Sequence, residues 1–138
     1  MFRYLKSILI MLRAHKGQKD KGGHPYYKHP LRVARGCKNN SAKIIALLHD
    51  VVEDNDNYKL DDFKFLNKDE LEALSLLTHE KSVNYFTYIN KVKTNELARE
   101  VKVSDLRDNS NLDRLKEVSK KDLERVEKYK KAQEILLS

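Results

Sequence analysis

The stretch that decides the fold is Ala46-Leu47-Leu48-His49-Asp50-Val51-Val52-Glu53-Asp54, an apolar helix that abruptly fills with acid. Ile44, Ile45, Leu47 and Leu48 mark a buried helical segment, with Asn40 or Ser41 expected as its N-cap. A helix C-terminus carries a partial negative charge, so carboxylates there are misplaced. Asp50 and Asp54 stand four apart on one face, a repulsive spacing, and His49 and Glu53 share that offset. The four form a polar stripe that is unfavourable alone and favourable around a cation. By itself the stretch also reads as a solvated helix end, so the case for a metal depends on partners elsewhere.

The rest of the chain is helical in signal. At 138 residues it forms one compact domain with a single core. The expectation is all-α, a bundle of about six to eight helices over residues 1–138. Residues 2–16 read as an amphipathic helix: the apolar core after Arg3 and Lys6 is short, Arg13, His15 and Lys16 follow at once, and no small-residue cleavage site appears, which argues against a signal peptide. Gly17 to Pro25 is a loop. A second helix starts near Pro30 and runs to about Cys37. The third holds the opening stretch and stops at Asn55-Asp56-Asn57. Leu60 to Leu66 is a short helix or turn, and Asn67 caps Lys68 to Thr78. Further helices cover Val83 to Val92, Glu96 to Asn109, and a last segment that Ser119 and Asp122 open with a capping box and that ends near Leu137. No alternating strand pattern or repeat is present.

Composition narrows the function. No apolar run approaches a membrane span, and the single Cys37 forms no internal disulfide and reads as a small core residue. The formal net charge of +7 suits a nucleic-acid binder and equally an enzyme for a phosphate-rich small molecule. The lysines are spread along the chain rather than gathered in one arm.

Two further clusters stand out. In Pro25-Tyr26-Tyr27-Lys28-His29-Pro30 a histidine sits at a helix entrance stiffened by proline. In Val101-Lys102-Val103-Ser104-Asp105-Leu106-Arg107-Asp108-Asn109, Asp105 follows an apolar stretch much as Asp50 does. Alone, each is ordinary. Together His29, His49, Asp50 and Asp105 offer two imidazoles and two carboxylates, a set suited to Mn²⁺, Fe²⁺, Co²⁺ or Zn²⁺ rather than to a thiolate site.

The order His29, His49-Asp50, Asp105 resembles the H…HD…D signature of HD-domain metal-dependent phosphohydrolases. The longer strings AHKGQ (14–18), PYYKHP (25–30), ALLHDVVED (46–54) and VKVSDLRDN (101–109) resemble the hydrolase domain of RelA/SpoT-type alarmone enzymes and the stand-alone small alarmone hydrolases. The resemblance implies an all-helical HD-type domain with one divalent ion, most often Mn²⁺, that removes the 3′-pyrophosphate of guanosine tetra- or pentaphosphate (ppGpp, pppGpp). It implies His29, His49, Asp50 and Asp105 as metal ligands, and Glu53 and Asp54 as the acid pair that activates or positions the attacking water. It implies Asn109 at the nucleotide sugar, Tyr129 near the nucleotide, and Lys19 or Lys21 against base or phosphates. No synthetase domain is expected after it, and the implied location is cytoplasmic. The sequence departs from the family over Leu77 to Val92, which leaves the substrate as the open point. Tyr85 and Tyr88 there read as core, His79 as a helix-end residue, and His15 as a support near the loop. Two alternatives remain: an HD phosphohydrolase for another nucleotide, either a nucleoside monophosphate or a dinucleotide phosphate, and a non-catalytic basic helical module whose surface is Lys116 to Lys131. The last leaves the metal-binding set without a use, so the expected partner is a small nucleotide rather than nucleic acid or a membrane.

Overall fold

A computed structural model describes residues 2–138; Met1, counted in the expected domain, lies outside them. The described residues form seven α-helices: α1 (Phe2–Ala14), α2 (Lys28–Arg35), α3 (Asn40–Asp54), α4 (Lys68–Leu77), α5 (Tyr85–Lys93), α6 (Glu96–Asn109) and α7 (Lys120–Leu137), with a single 3₁₀ turn at Leu60–Asp62. The fold is all-α, of the HD type.

Helix α3 is the axis of the molecule. Ala42 and Ile44 through Leu48 are buried, as is Val51, and α1, α2, α4 and α6 all pack on it. A fully buried Leu or Ile contributes roughly 1.5–3 kcal/mol over an exposed one, so a helix apolar on most faces is stable only at the centre of the bundle. Its N-cap is Asn39, not Asn40 or Ser41: the Asn39 side chain accepts from the backbone N–H groups of Ser41 and Ala42. An extended residue at position 39 lets the helix begin one residue earlier. Asn67 and Ser119 cap α4 and α7 with reciprocal capping boxes, and α6 spans 96–109 as its sequence indicates.

Other ends moved. Helix α1 stops at Ala14, two residues short of the expected end, because the chain turns through Gly17 at φ +80°. Helix α2 begins at Lys28 rather than Pro30. Pro30 is tolerated there because first-turn N–H groups have no helical acceptor. Helix α1 buries Ser7 and Met11 but leaves Phe2, Leu5, Leu9 and Leu12 exposed, so it is apolar on more than its inner face.

Two close approaches seat the parts that build the site. Gly36, at the end of α2, faces α6 so closely that a Cβ there would overlap the Ser104 hydroxyl, which itself donates to the Val33 carbonyl at 2.8 Å. The loop between α1 and α2 folds back through a Lys19–Pro25 bridge. Gly22 presses against the Arg114 backbone so that no side chain fits there.

Candidate metal centre and its cleft

Three helices deliver four side chains to one point. His29 comes from the first turn of α2, His49 and Asp50 from α3, and Asp105 from α6, and all four are buried. His29 Nε2 lies 2.9 Å from Asp105 Oδ1 and 3.6 Å from Asp50 Oδ2. His49 Nε2 lies 3.3 Å from Asp105 Oδ1 and 3.2 Å from Asp50 Oδ2. One ligand atom each from His29, His49 and Asp105 falls within a 4.8 Å span, with the Asp50 carboxylate on the same two ring nitrogens.

The outer nitrogens of both rings are engaged elsewhere. His29 Nδ1 is 2.6 Å from Asp108 Oδ2, and Arg32 holds that carboxylate through Nε at 2.7 Å. His49 Nδ1 is 2.5 Å from the Ala46 carbonyl. With Nδ1–H donated outward, each ring turns its Nε2 lone pair inward, the orientation a metal-ligating histidine needs. Tyr26 donates to Asp50 Oδ2 at 2.6 Å, Lys102 to Asp105 Oδ2 at 2.9 Å, and Asn109 to Asp105 Oδ1 at 3.2 Å.

Electrostatics says what the cage lacks. Burial lowers the basicity of both imidazoles, yet hydrogen bonds donated to Asp105 and Asp108 lift His29 to about 10, and the charges of Asp50 and Asp105 lift His49 to about 9. Burial opposes the charge of Asp105, but Lys102 and the two imidazoles hold its carboxyl well below the usual range. The cage therefore favours positive charge at its centre. Two imidazoles and two carboxylates without thiolate fit one divalent ion of the Mn²⁺–Zn²⁺ group.

Glu53 and Asp54 stand one turn on, at the wall of the cleft. Partial burial and the negative charge of Asp50 raise both carboxyls above their ordinary range. This is the repulsion that their spacing anticipates.

The cleft has two halves that meet at Tyr26, Asn109 and Tyr129. One, of about 390 Å³, holds Asp50, Glu53, Asp54 and Asp105. The other, of about 270 Å³, is basic and holds Lys19, Lys21, Arg114 and Arg125. All the substrate-side residues anticipated from sequence thus lie on one continuous cleft, Lys19 and Lys21 in the basic half and Asn109 and Tyr129 where the halves meet. His15 is buried against Tyr26 and bonded to Gln18, in the supporting place expected of it.

Sequence reasoning passed over several residues. Lys102 and Asp108 flank Asp105 at i−3 and i+3, a helical spacing that signals contact with it or its neighbours. Tyr26 was visible only as an aromatic neighbour of His29. Tyr85 and Tyr88 do more than fill core: with His79 they line the acidic half of the cleft. Tyr88 is buried, donates to the Leu77 carbonyl at 2.7 Å and stacks on His79 at 4.4 Å. Nothing local marks these as cleft residues, because α5 reaches the site only through its packing on α4, α6 and α7.

No family model matches the chain. Two curated relatives named GTP pyrophosphokinase do. The protein from Streptomyces coelicolor is 36% identical over 98 residues, and the one from Streptomyces antibioticus is 37% identical over 98 residues, each match covering 68% of this chain. The matched region is only 10% and 11% of those proteins, so the chain spans about a tenth of their length. A solved structure described as a metazoan ortholog of SpoT that hydrolyses ppGpp superimposes with a TM-score of 0.80 at 20% identity, covering 99% of this chain and 86% of that one. In fold over almost its whole length, and in sequence over about two thirds of it, the chain resembles the hydrolase domain of RelA/SpoT-type alarmone enzymes.

Proposed function

We propose that this protein is a divalent-metal-dependent phosphohydrolase that removes the 3′-pyrophosphate of guanosine tetra- or pentaphosphate, giving GDP or GTP and pyrophosphate. One observation carries the reading: an inward-facing two-imidazole, two-carboxylate cage opens beside two carboxyls of raised pKa in the acidic half of a cleft whose other half is basic. The relatives' printed names give it the nucleotide class.

His29, His49, Asp50 and Asp105 would hold one divalent ion, Mn²⁺ by preference. When bound, such an ion acidifies a water and neutralises phosphoryl charge. Glu53 and Asp54 would orient the attacking water and take its proton as the water oxygen attacks phosphorus. The bond from phosphorus to the 3′-oxygen breaks, and the 3′-oxygen leaves as the sugar hydroxyl, taking up the proton that Glu53 and Asp54 removed from the water. Asn109 and Tyr129 seat the sugar and base at the junction. Lys19 and Lys21 bind the 5′ phosphates as mobile point charges. The domain is residues 1–138, and its location is cytoplasmic.

Chromatography of a Mn²⁺-supplemented reaction tests this against a nucleotide panel. Expected are GDP or GTP with pyrophosphate and no requirement for ATP. Orthophosphate from nucleoside monophosphates with guanosine tetraphosphate left intact assigns the protein to another nucleotide.

A further inference from the structure

The acidic half of the cleft carries four carboxylates against two lysines. Lys102 is already bound to Asp105. Lys128 is the other: among the described residues it has no carboxylate partner, and its Nζ lies 4.5 Å from the centre of the Tyr85 ring and 5.7 Å from that of Tyr129. Tyr129 is its neighbour in sequence, but Tyr85 comes from α5, so this ammonium is drawn over the cleft wall by tertiary packing. Tyr85 places its hydroxyl in a buried position with no hydrogen-bond partner. Buried polar groups in native proteins are nearly always satisfied, so such a group calls for a partner.

A phosphorus attacked beside Glu53 and Asp54 has the sugar on one side, toward the junction. The second phosphate of a pyrophosphate then projects deeper into the acidic half, where it meets the wall built by α5 and α7. The donors on that wall are few. The ring Nε2 of His79 is engaged by the Val83 carbonyl, and the Tyr88 hydroxyl by the Leu77 carbonyl. Lys128 and the hydroxyls of Tyr85 and Tyr129 are left, and Tyr129 lies at the junction, where the proposed reading seats the sugar and base.

We propose that Lys128 and Tyr85 form the subsite for the phosphate farther from the sugar, so that this chain tells a pyrophosphate from a single phosphate. The inference rests on the proposed 3′-pyrophosphohydrolase reading and gives the segment that departs from the family, through Tyr85, the task of recognising the leaving group. Charge-assisted hydrogen bonds supply the discrimination, since a lone phosphate held at the metal does not reach them.

Calorimetry on the Mn²⁺-loaded protein tests it with inorganic pyrophosphate and orthophosphate, metal content being measured after each titration. Lys128→Ala and Tyr85→Phe are each expected to weaken pyrophosphate binding about tenfold, the usual scale for one hydrogen bond to a charged group, while orthophosphate binding and the melting temperature stay unchanged. Equal weakening of both anions, or no change in either, overturns the proposal. Lys128 is exposed, so its removal leaves the fold intact, and Tyr85→Phe deletes the hydroxyl alone. Because the readout is binding, failure to cleave guanosine tetraphosphate with Lys128-dependent pyrophosphate binding preserved rejects the substrate assignment and keeps the subsite.

Discussion

Asp108 holds His29 by its outer ring nitrogen at 2.6 Å, from one turn beyond Asp105 on the same helix. Helix α6 therefore supplies both a candidate ligand and the group that aims another. Arg32, one turn beyond His29 on α2, completes the clamp with two hydrogen bonds to Asp108. Asp108→Ala is expected to lower metal affinity about 10–100-fold, the range for loss of an outer-shell carboxylate, without abolishing binding, whereas His49→Ala or Asp105→Ala loses the ion. Elemental analysis and metal titration of the purified variants check this; equal metal content in all of them contradicts the ligand assignment.

Glu53 and Asp54 share α3 with His49 and Asp50 but make no contact that holds the cage together. Glu53→Gln combined with Asp54→Asn is expected to keep the metal and the fold and to lose turnover by about 10²–10⁴-fold, the usual scale of a general acid–base contribution. Wild-type rates in that double variant reduce the pair to a solvated helix end.

Metal removal is expected to lower stability in a saturable way. Lys102 is then left to balance Asp105 with the two imidazoles. An ion that binds only the folded chain adds about 2.7 kcal/mol when present at a hundred times its dissociation constant. Thermal melts across a Mn²⁺ series in chelator-treated protein measure it, and a melting temperature indifferent to metal speaks against a folded-state site.

The contact that seats α2 on α6 has its own test. Gly36→Ala drives a methyl into the Ser104 hydroxyl and is expected to cost about 1–3 kcal/mol, as overpacking does. Because His29 and Asp105 ride on these two helices, metal affinity falls with it. Adding Ser104→Ala removes the overlapping oxygen and recovers part of the loss, a coupling that a double-mutant cycle resolves. Denaturant unfolding of the four proteins gives the numbers.

Helix α7 is anchored by its cap. Ser119 accepts from the Asp122 N–H, and Asp122 accepts from the Ser119 N–H and from Arg125. Ser119→Ala is expected to destabilise the protein by about 1 kcal/mol. The Ser119 backbone N–H, then Arg125 and the Ser119 hydroxyl, hold the Asp122 carboxyl down at about 2. A lowered carboxylate pKa stabilises the fold above the ordinary value of 3.8, and that contribution is lost as pH falls toward 2. Melts of wild type and Asp122→Asn across that window are expected to converge at the acid end.

The sequence by itself determined the helical class, α6 as a whole, the Asn67 cap of α4 and the capping box of α7. These signals are local: an apolar period of 3.6, cap residues at fixed offsets, and carboxylates at a helix end that disfavours them. His49 and Asp50 were legible because, with Glu53 and Asp54, they violate local preference in a way a cation resolves, whereas His29 and Asp105 are each ordinary alone. Tertiary structure alone decided that α2, α3 and α6 meet with both Nε2 atoms turned inward, that Asp108 reaches across to His29, and that Tyr85 and Lys128 face the cleft from α5 and α7. Each of these is a contact between residues distant in sequence. Its geometry follows from how closely helices approach at points such as Gly36 and Ser104, a property of packing that no window of the sequence contains.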